Sequence, residues 1–399
     1  MAITISGNGD MTGDYTFAGN VDVTGDTDLN GKLETPAGDT ASRPATGQAG
    51  EIRFNTDNGE MEFWSTTSSP AQWRKVRQGE LPAFSVRYLI AGGGGAGGSS
   101  HSSWVAGGGG GAGGYLAASN DTSTFSLNTA YTVTVGAGGA RTLGASTNRP
   151  AGNNGGNSVL GSLTAIGGGG GGGGQMANYV IAQAHGKDGG SGGGTSGYGN
   201  YGSGSLIGSG TTGQGNDGGG PTSNPNYAGA GGGGAGSAGV DASSAIVSLD
   251  TGGDGGDGVS NDITDTAVIY CAGGGGGTYT TYNENSQGKG GSNGAGGRGG
   301  FNWYHDATWQ TNGRYSDRYG QTPGSGGGGG GGWNGAGSWS RADEYDGAAG
   351  ADGRVIIRIP DSYIATFSAG VTFTTTAMAD DTTLYECTSG TGTVTFALA

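Results

Sequence analysis

The sequence LTAIGGGGGGGG, residues 163–174, joins a short apolar stretch to eight consecutive glycines. Ordering a glycine costs about 1–2 kcal/mol in backbone entropy, and the residue has no side chain to bury in return. Such a run is either a flexible linker or a segment whose N–H and C=O groups are all bonded by neighbours. The apolar lead favours the ordered segment, because a linker does not need one.

The same order, an apolar stretch and then a glycine run, recurs at residues 88–95, 226–234 and 268–277, and a further run occupies 326–332. A polyproline II helix has no internal hydrogen bonds, so its backbone groups point outward. Helices of this shape can pair on every side if all residues are glycine, with help from Cα–H···O contacts. We therefore predict a mostly β protein that contains a lattice of polyglycine II helices.

The composition excludes several other classes of protein. The 399 residues include 100 glycines but only nine prolines, and glycine is not at every third position, which excludes collagen. Only 32% of the residues are hydrophobic, too few for a conventional core of this size. A net charge of −15 argues against a nucleic-acid partner and against an anionic membrane surface.

The residues that most often carry catalysis or bind metals are scattered. Cys271 and Cys387 are too few for a disulfide framework, and we predict two buried free thiols. His101, His185 and His305 have no neighbouring pattern of metal ligands. We therefore expect no cofactor and no enzymatic activity.

One segment, residues 252–260, matches the calcium-binding nonapeptide and makes Asp254 and Asp257 the calcium candidates. Calcium sites of this type form between successive repeats, and the chain has a single copy. Our prediction is therefore no metal site, with this pair as the one alternative.

The first 36 residues have a different period. Glycines fall six apart over residues 7–31, and apolar side chains alternate with polar ones between them, as in strands that bury one face. Five hexads are too few for a single-chain solenoid. We predict that residues 1–36 form an intertwined β stalk in a homotrimer; an ordinary meander is the alternative. Residues 1–6 lack the pattern of a signal peptide, so we expect release by lysis or a dedicated apparatus.

The second segment, residues 37–83, has the pattern of a β-hairpin. Asn58-Gly59 lies between two alternating runs, the strongest short signal for this structure. With its Arg43-Pro44 start and its closing Trp73-Arg74-Lys75-Val76, the segment resembles a small hairpin module that recurs in bacteriophage tail fibres. We expect Trp64 and Trp73 to be packing residues.

From residue 84 the chain resembles the glycine-rich domains of phage fibres and adhesins. The resemblance is carried by VRYLIAG at 86–92, YTVTVGAG at 131–138 and DGRVIIRIP at 352–360. Residues 384–396 are similar to the terminal strand pair that often follows this domain. The resemblance implies a glycine-rich domain at 84–360 and a C-terminal β segment at 361–399. It also extends to adhesins at the fibre tips of some T-even phages, which have polyglycine II cores and receptor-binding loops.

The segments between the glycine runs are rich in aromatic and polar side chains, and the richest lies at 301–345. Aromatic rings beside amide, carboxylate and guanidinium groups suit a glycan or a protein epitope. The alternative is that these rings seal the lattice or form subunit contacts. The predicted receptor-binding residues are Phe301, Trp303, Tyr304, His305, Trp309, Arg314, Tyr315, Arg318, Tyr319, Trp333 and Trp339.

The sequence thus predicts a virion fibre protein, a tail fibre that binds without catalysis. It is assembled in the host cytoplasm and displayed outside the particle. Its N-terminal region would bind other virion proteins, and its loops a host glycan or an outer-membrane protein. One alternative is a capsid fibre or decoration protein. The other is a polysaccharide-degrading tail spike, because two of the 32 acidic residues could converge on a glycan.

Overall fold

A computed structural model shows two compact units, Met1–Glu80 and Leu81–Ala399. The structure describes residues 37–44, 52–57, 59–65, 72–75, 84–100, 105–121, 124–141, 143, 149–174, 183–197, 207–221, 227–243, 251–278, 287–294, 296–297, 299 and 346–399. The stalk predicted at 1–36 lies outside these residues.

Strands are the main regular secondary structure in the described parts of both units, which confirms the prediction of a mostly β protein. In chain order the elements are β1 (Ala37–Gly38), β2 (Ile52–Asn55), β3 (Glu60–Ser65), β4 (Gln72–Lys75), β5 (Val86–Ala91), β6 (Tyr115–Asp121), β7 (Ala130–Thr134), β8 (Ser158–Leu160), β9 (Leu163–Ala165), β10 (Val259–Asn261), β11 (Val268–Tyr270), a helical turn α1 (Gly291–Gly294), β12 (Arg354–Pro360), β13 (Tyr363–Phe367), β14 (Val371–Ala377) and β15 (Thr382–Leu398).

The first unit is a four-stranded sheet in the order β1-β2-β3-β4. β2 and β3 form the predicted hairpin, and Gly59 in its turn has a φ of +67°, a conformation that favours glycine. Trp64 and Trp73 are buried and pack edge to face with ring centroids 5.6 Å apart. The Trp73 indole N–H donates to the Pro44 carbonyl at 2.8 Å. Both tryptophans are therefore packing residues, as the sequence predicts.

The second unit contains a sandwich of two β layers that share one long strand. One layer has the order β6-β5-β12-β15-β14 and the other the order β9-β8-β7-β15-β13. The first half of β15 pairs with β12 and β14, and its second half with β7 and β13. Gly390, at the change of layer, has a φ of +96°. Where the resemblance implies a strand pair at 384–396, the structure has this single strand.

The sandwich core is built from alternating side chains. Ile90 of β5 and Ile357 of β12 face the interior, where they join a buried cluster with β7 and the second half of β15. Leu89 and Ile356 face the other way and pack with Ile263 in a second buried cluster. β5 and β12 are thus buried on both faces, which explains their continuous apolar sequences.

Beyond the sandwich, the glycine segments bond to one another through their backbones. Along residues 92–99, successive N–H groups donate to three different neighbouring segments, and every third residue returns to the same neighbour. The N···O distances are 2.8–3.3 Å for Gly92, Gly95 and Gly98 to Gly114, Gly111 and Gly108; for Gly93, Ala96 and Ser99 to Gly156, Asn153 and Pro150; and for Gly94 and Gly97 to Ala351 and Ala348. We call the bonded glycine segments the glycine network.

The same period of three holds in a second part of the network. Residues 229–235 also donate to three neighbours in rotation. The pairs are Gly229, Gly232 and Ala235 with Gly277, Gly274 and Cys271; Ala230 and Gly233 with Thr195 and Gly192; and Gly231 and Gly234 with Val240 and Ser237. A β-strand offers its bonding groups to two sides only, so this pattern differs from a sheet.

Glycine is required where these segments approach each other. A Cβ atom on Gly98 would collide with the carbonyl group of Gly172, and one on Gly95 would collide with the carbonyl group of Gly169. Both obstacles are backbone atoms, which a rotamer change cannot remove. The close approach of backbones therefore explains why these segments contain glycine.

Side chains complete the network at its exposed margin. Exposed aspartates and asparagines accept hydrogen bonds from backbone N–H groups of the neighbouring segment. These bonds join Asn157 to Gly167, Asn154 to Gly170, Asp188 to Ser209, Asp217 to Gly210, Asp241 to Gly220 and Asp352 to Gly138, at 2.7–3.0 Å. Part of the acidic composition thus satisfies backbone donors, and we call these six side chains the capping residues of the network.

Candidate functional site

The predicted receptor-binding residues cannot be placed on the structure. All eleven, from Phe301 to Trp339, lie in the segment 300–345, outside the described residues. Their role as a binding site stays a prediction. What the structure does give is the position of the described residues on either side of this segment.

The glycine segments leave the sandwich from the ends of its strands and run to a common layer at their far ends. Gly92 follows β5, Gly114 precedes β6 and Ile166 follows β9, and these three are joined by backbone hydrogen bonds through Gly114. Seven or eight residues from these three along the chain, Ser99, Ala106 and Gly174 take part in a second set of backbone hydrogen bonds with residues of other segments. The bonds are Gly174 to Ser99, Ser99 to Pro150, Ala106 to Tyr227, Gly197 to Ala106 and Gly277 to Gly107. We call this second set the distal layer.

Five of the segments outside the described residues begin or end beside the distal layer. Ser99, Gly174, Gly197, Tyr227 and Gly277 each lie within two residues of such a segment. The segments concerned are 101–104, 175–182, 198–206, 222–226 and 279–286. The topology therefore brings the described residues that flank these five segments, which interrupt the glycine network, to one end of the network.

Segment 300–345 also begins and ends near this layer. On one side, Gly299 donates to Gly288, which donates to Gly276 beside the distal layer. On the other side, Ala348 accepts from the N–H of Gly97, two residues before Ser99 of the distal layer, and the buried Asp346 forms an ion pair with Arg141 at 2.9 Å. Both ends of the aromatic segment are therefore attached where the other segments are attached.

Asp254 and Asp257, the calcium candidates, bind backbone groups in this structure. Oδ1 of Asp254 accepts from the N–H of Lys289 at 2.6 Å, and Oδ1 of Asp257 accepts from the N–H of Ser292 at 2.6 Å. Within the described ranges, no group of three or more acidic, histidine or cysteine side chains could hold a metal ion. The pair resembles the capping residues of the network, and calcium binding there stays a prediction.

An open depression of about 290 Å³ lies beside Asp254. Its walls combine two carboxylates, an amide, an ammonium group and two hydroxyls with one apolar side chain. They are Asp241, Asp254, Gln287, Lys289, Ser243, Thr251 and Val240, together with Gly252. This mixture can hydrogen-bond a hydroxyl-rich ligand. Sequence reasoning missed it, because the residues come from three separate segments and form no motif.

The two thiols are poor candidates for nucleophilic chemistry. Cys271 and Cys387 are free and buried, as the sequence predicts. Burial raises the pKa of each thiol to about 12, so both are protonated at neutral pH. They are packing residues in this fold.

Comparison with known proteins gives one match. Residues 78–360 match a family model described as a glycine-rich domain. Among curated proteins and solved structures, no match to the chain was found. None of the helical structure in the described residues is long and apolar enough to cross a membrane.

Proposed function

The chain belongs to the glycine-rich domain family, and from this premise we propose that it is a bacteriophage tail fibre protein that attaches the virion to its host. The observation that carries the proposal is the distal layer. A scaffold that gathers its interrupting segments at one end can present them together to a surface. Such an arrangement suits binding at the tip of a fibre.

In this proposal the glycine network is a lattice of polyglycine II helices. The period of three in the hydrogen bonds along residues 92–99 and 229–235 supports it, since that helix has three residues per turn. The rods hold the distal layer at a fixed distance from the sandwich. Residues 1–36 would form the trimeric stalk, whose N-terminal end binds other virion proteins.

The receptor would be a host cell-surface glycan or an outer-membrane protein, bound by the aromatic segment 300–345. Support comes from the attachment of both ends of this segment at the distal layer and from its content of tryptophan, tyrosine and arginine. These residue types dominate the energetics of protein recognition, and flat rings also cover the apolar faces of sugars. The polar depression beside Asp254 lies on the same scaffold and could supply additional hydrogen bonds to a glycan.

Host adsorption tests the proposal. Virions that carry Ala in place of Phe301, Trp303, Trp309 and Tyr315 together should assemble normally and lose host adsorption. The matched control replaces Leu143 and Leu398 with Ala; both are exposed apolar residues outside the segment and outside the depression, at 64% and 51%. The control virions should adsorb like the wild type.

Two outcomes would contradict the proposal. Unchanged adsorption of the quadruple variant would show that segment 300–345 is not the receptor-binding site. Release of reducing ends from host polysaccharide by the purified protein would show a tail spike with hydrolase activity. Immunogold labelling of intact particles would show where the protein is attached to the virion, and labels on the head would indicate a capsid fibre.

A further inference from the structure

Among the residues that the structure describes, strand β14 has a free edge that lacks the usual protection. Within the described sandwich it pairs with β15 alone, and six of its seven residues are exposed. Its sequence, VTFTTTA, has no charge, no proline and no glycine, although the chain as a whole carries a net charge of −15. Natural proteins normally protect such an edge with charge, proline or a covering element.

The register shows which backbone groups face the free edge. The N–H of Met378 donates to the carbonyl of Thr382 at 2.9 Å, which marks these two residues as a hydrogen-bonded pair. Hydrogen-bonded and non-hydrogen-bonded pairs alternate along an antiparallel ladder. Thr376 and Thr374 therefore direct their N–H groups to β15. Thr375 directs its N–H and C=O outward.

We propose that the free edge of β14 pairs antiparallel with β14 of a second copy of this chain, about a two-fold axis at Thr375. Such an isologous contact uses the same patch on both copies. Thr375 then lies opposite itself and exchanges both backbone hydrogen bonds. Phe373 lies opposite Ala377 of the second copy, a large side chain against a small one.

The chemistry of the edge favours a second copy over a different partner. Two chains of like charge repel each other, so self-association needs a patch without charge, and β14 is such a patch. Cross-strand pairs of threonines are favourable. Phe373 is 38% exposed in the isolated chain, and a neighbouring strand would cover it.

The inference goes beyond the proposed function and is independent of the stalk. A trimeric stalk joins three chains near their N-terminal ends, whereas the β14 edge joins two sandwiches. If both exist, the native particle contains two trimers; if only the edge exists, it is a dimer. In either case, breaking the edge halves the mass.

Mass photometry and light scattering of the full-length protein test the inference. Thr375→Pro removes an N–H group that points away from β15, so the sandwich should keep its fold while the particle mass falls to half. Thr375→Val keeps the N–H group and should keep the wild-type mass. The melting temperature and near-UV circular dichroism report whether each variant is folded.

Two charge variants give a second test that leaves the backbone unchanged. Thr375→Lys and Thr375→Glu each place like charges opposite each other, and each protein alone should have half the wild-type mass at low salt. An equimolar mixture of the two should recover the wild-type mass. A folded Thr375→Pro protein of wild-type mass, or a mixture that stays at half mass, would overturn the inference. The absolute mass of the halved particle tests the stalk separately: three chains would indicate the trimer, and one chain would indicate that no trimer forms.

Discussion

The sandwich and the glycine network are ordered by different forces. In the sandwich, Phe396, Ile357 and Val133 are completely buried, and the burial of apolar surface holds the layers together. In the network, buried residues such as Gly95 and Gly171 have no side chain beyond hydrogen, and the backbones approach closely instead. Two regions of one chain thus offset the entropy cost of folding in different ways, one by apolar burial and the other by close packing of backbones.

The difference shows what a glycine-rich sequence needs to be ordered. The network segments leave directly from the strands β5, β9 and β11. These strands are fixed by the sandwich core or by the second buried cluster. The apolar leads therefore set the starting position and direction of each glycine segment. Hydrogen bonds between segments then satisfy the backbone groups that a linker would leave to water.

The largest loss of stability should follow from a cavity in the sandwich core. Phe396 is fully buried and contacts Phe84, Phe125 and Tyr131, so Phe396→Ala should lower the free energy of unfolding by about 3–5 kcal/mol. Because the strands lead directly into the glycine segments, the network should unfold in the same transition. Denaturant unfolding followed by circular dichroism and by amide exchange at residues 167–174 measures both regions.

The matched control is Leu398→Ala on the same strand. Leu398 is 51% exposed, so its truncation should change the stability by less than about 0.5 kcal/mol. If the amides of 167–174 stayed protected after the sandwich of Phe396→Ala had unfolded, the dependence of the network on its strands would be wrong.

Adding a single methyl group to the network should cause the next largest loss of stability. Gly98→Ala places a Cβ against the backbone carbonyl of Gly172 and should cost about 1–3 kcal/mol through overpacking. Gly220→Ala is the control, because its Cβ would have Ile207 Cγ2 as its nearest neighbour, at 3.2 Å. Thermal unfolding should give a clearly lower melting temperature for Gly98→Ala. Equal melting temperatures would refute the close packing of backbones.

Removing one capping side chain at the margin of the network should have the smallest effect on stability. Asp257→Ala loses the acceptor for the N–H and hydroxyl of Ser292 and should cost about 0.5–1.5 kcal/mol. Asp257→Asn keeps an acceptor oxygen and should remain closer to the wild type. Calcium titration of the melting temperature separates capping from metal binding. A calcium-dependent rise that both variants abolish would assign the carboxylate to a metal site.

Much of the architecture could be predicted from the sequence because some residues carry distinctive local signals. The apolar leads 163–166 and 268–272 contain the strands β9 and β11, the lead 88–91 lies within β5, and Asn58-Gly59 marks a hairpin turn. Alternation and turn chemistry act over a few residues, so a single sequence reveals them. The buried thiols follow from composition in the same way.

The neighbours of each glycine segment could not be predicted. A run such as 167–174 presents the same backbone in every register, so the sequence does not show that Gly168 donates to Gly93 and Gly169 to Ser191. The capping role of Asp217 and Asp241 was also missed, since these side chains reach segments that only the fold brings near. The site residues at 301–345 have aromatic composition as their only signal, and composition gives no geometry.

The two cysteines have a practical consequence. Cys387 lies in the interior cluster of the sandwich, and Cys271 lies in the second cluster, where the run 273–277 begins. Each shielded sulfur becomes available to an alkylating reagent only when its own surroundings open. Mass spectrometry of the alkylated peptides would time the opening of the two regions separately, with no engineered probe in the protein.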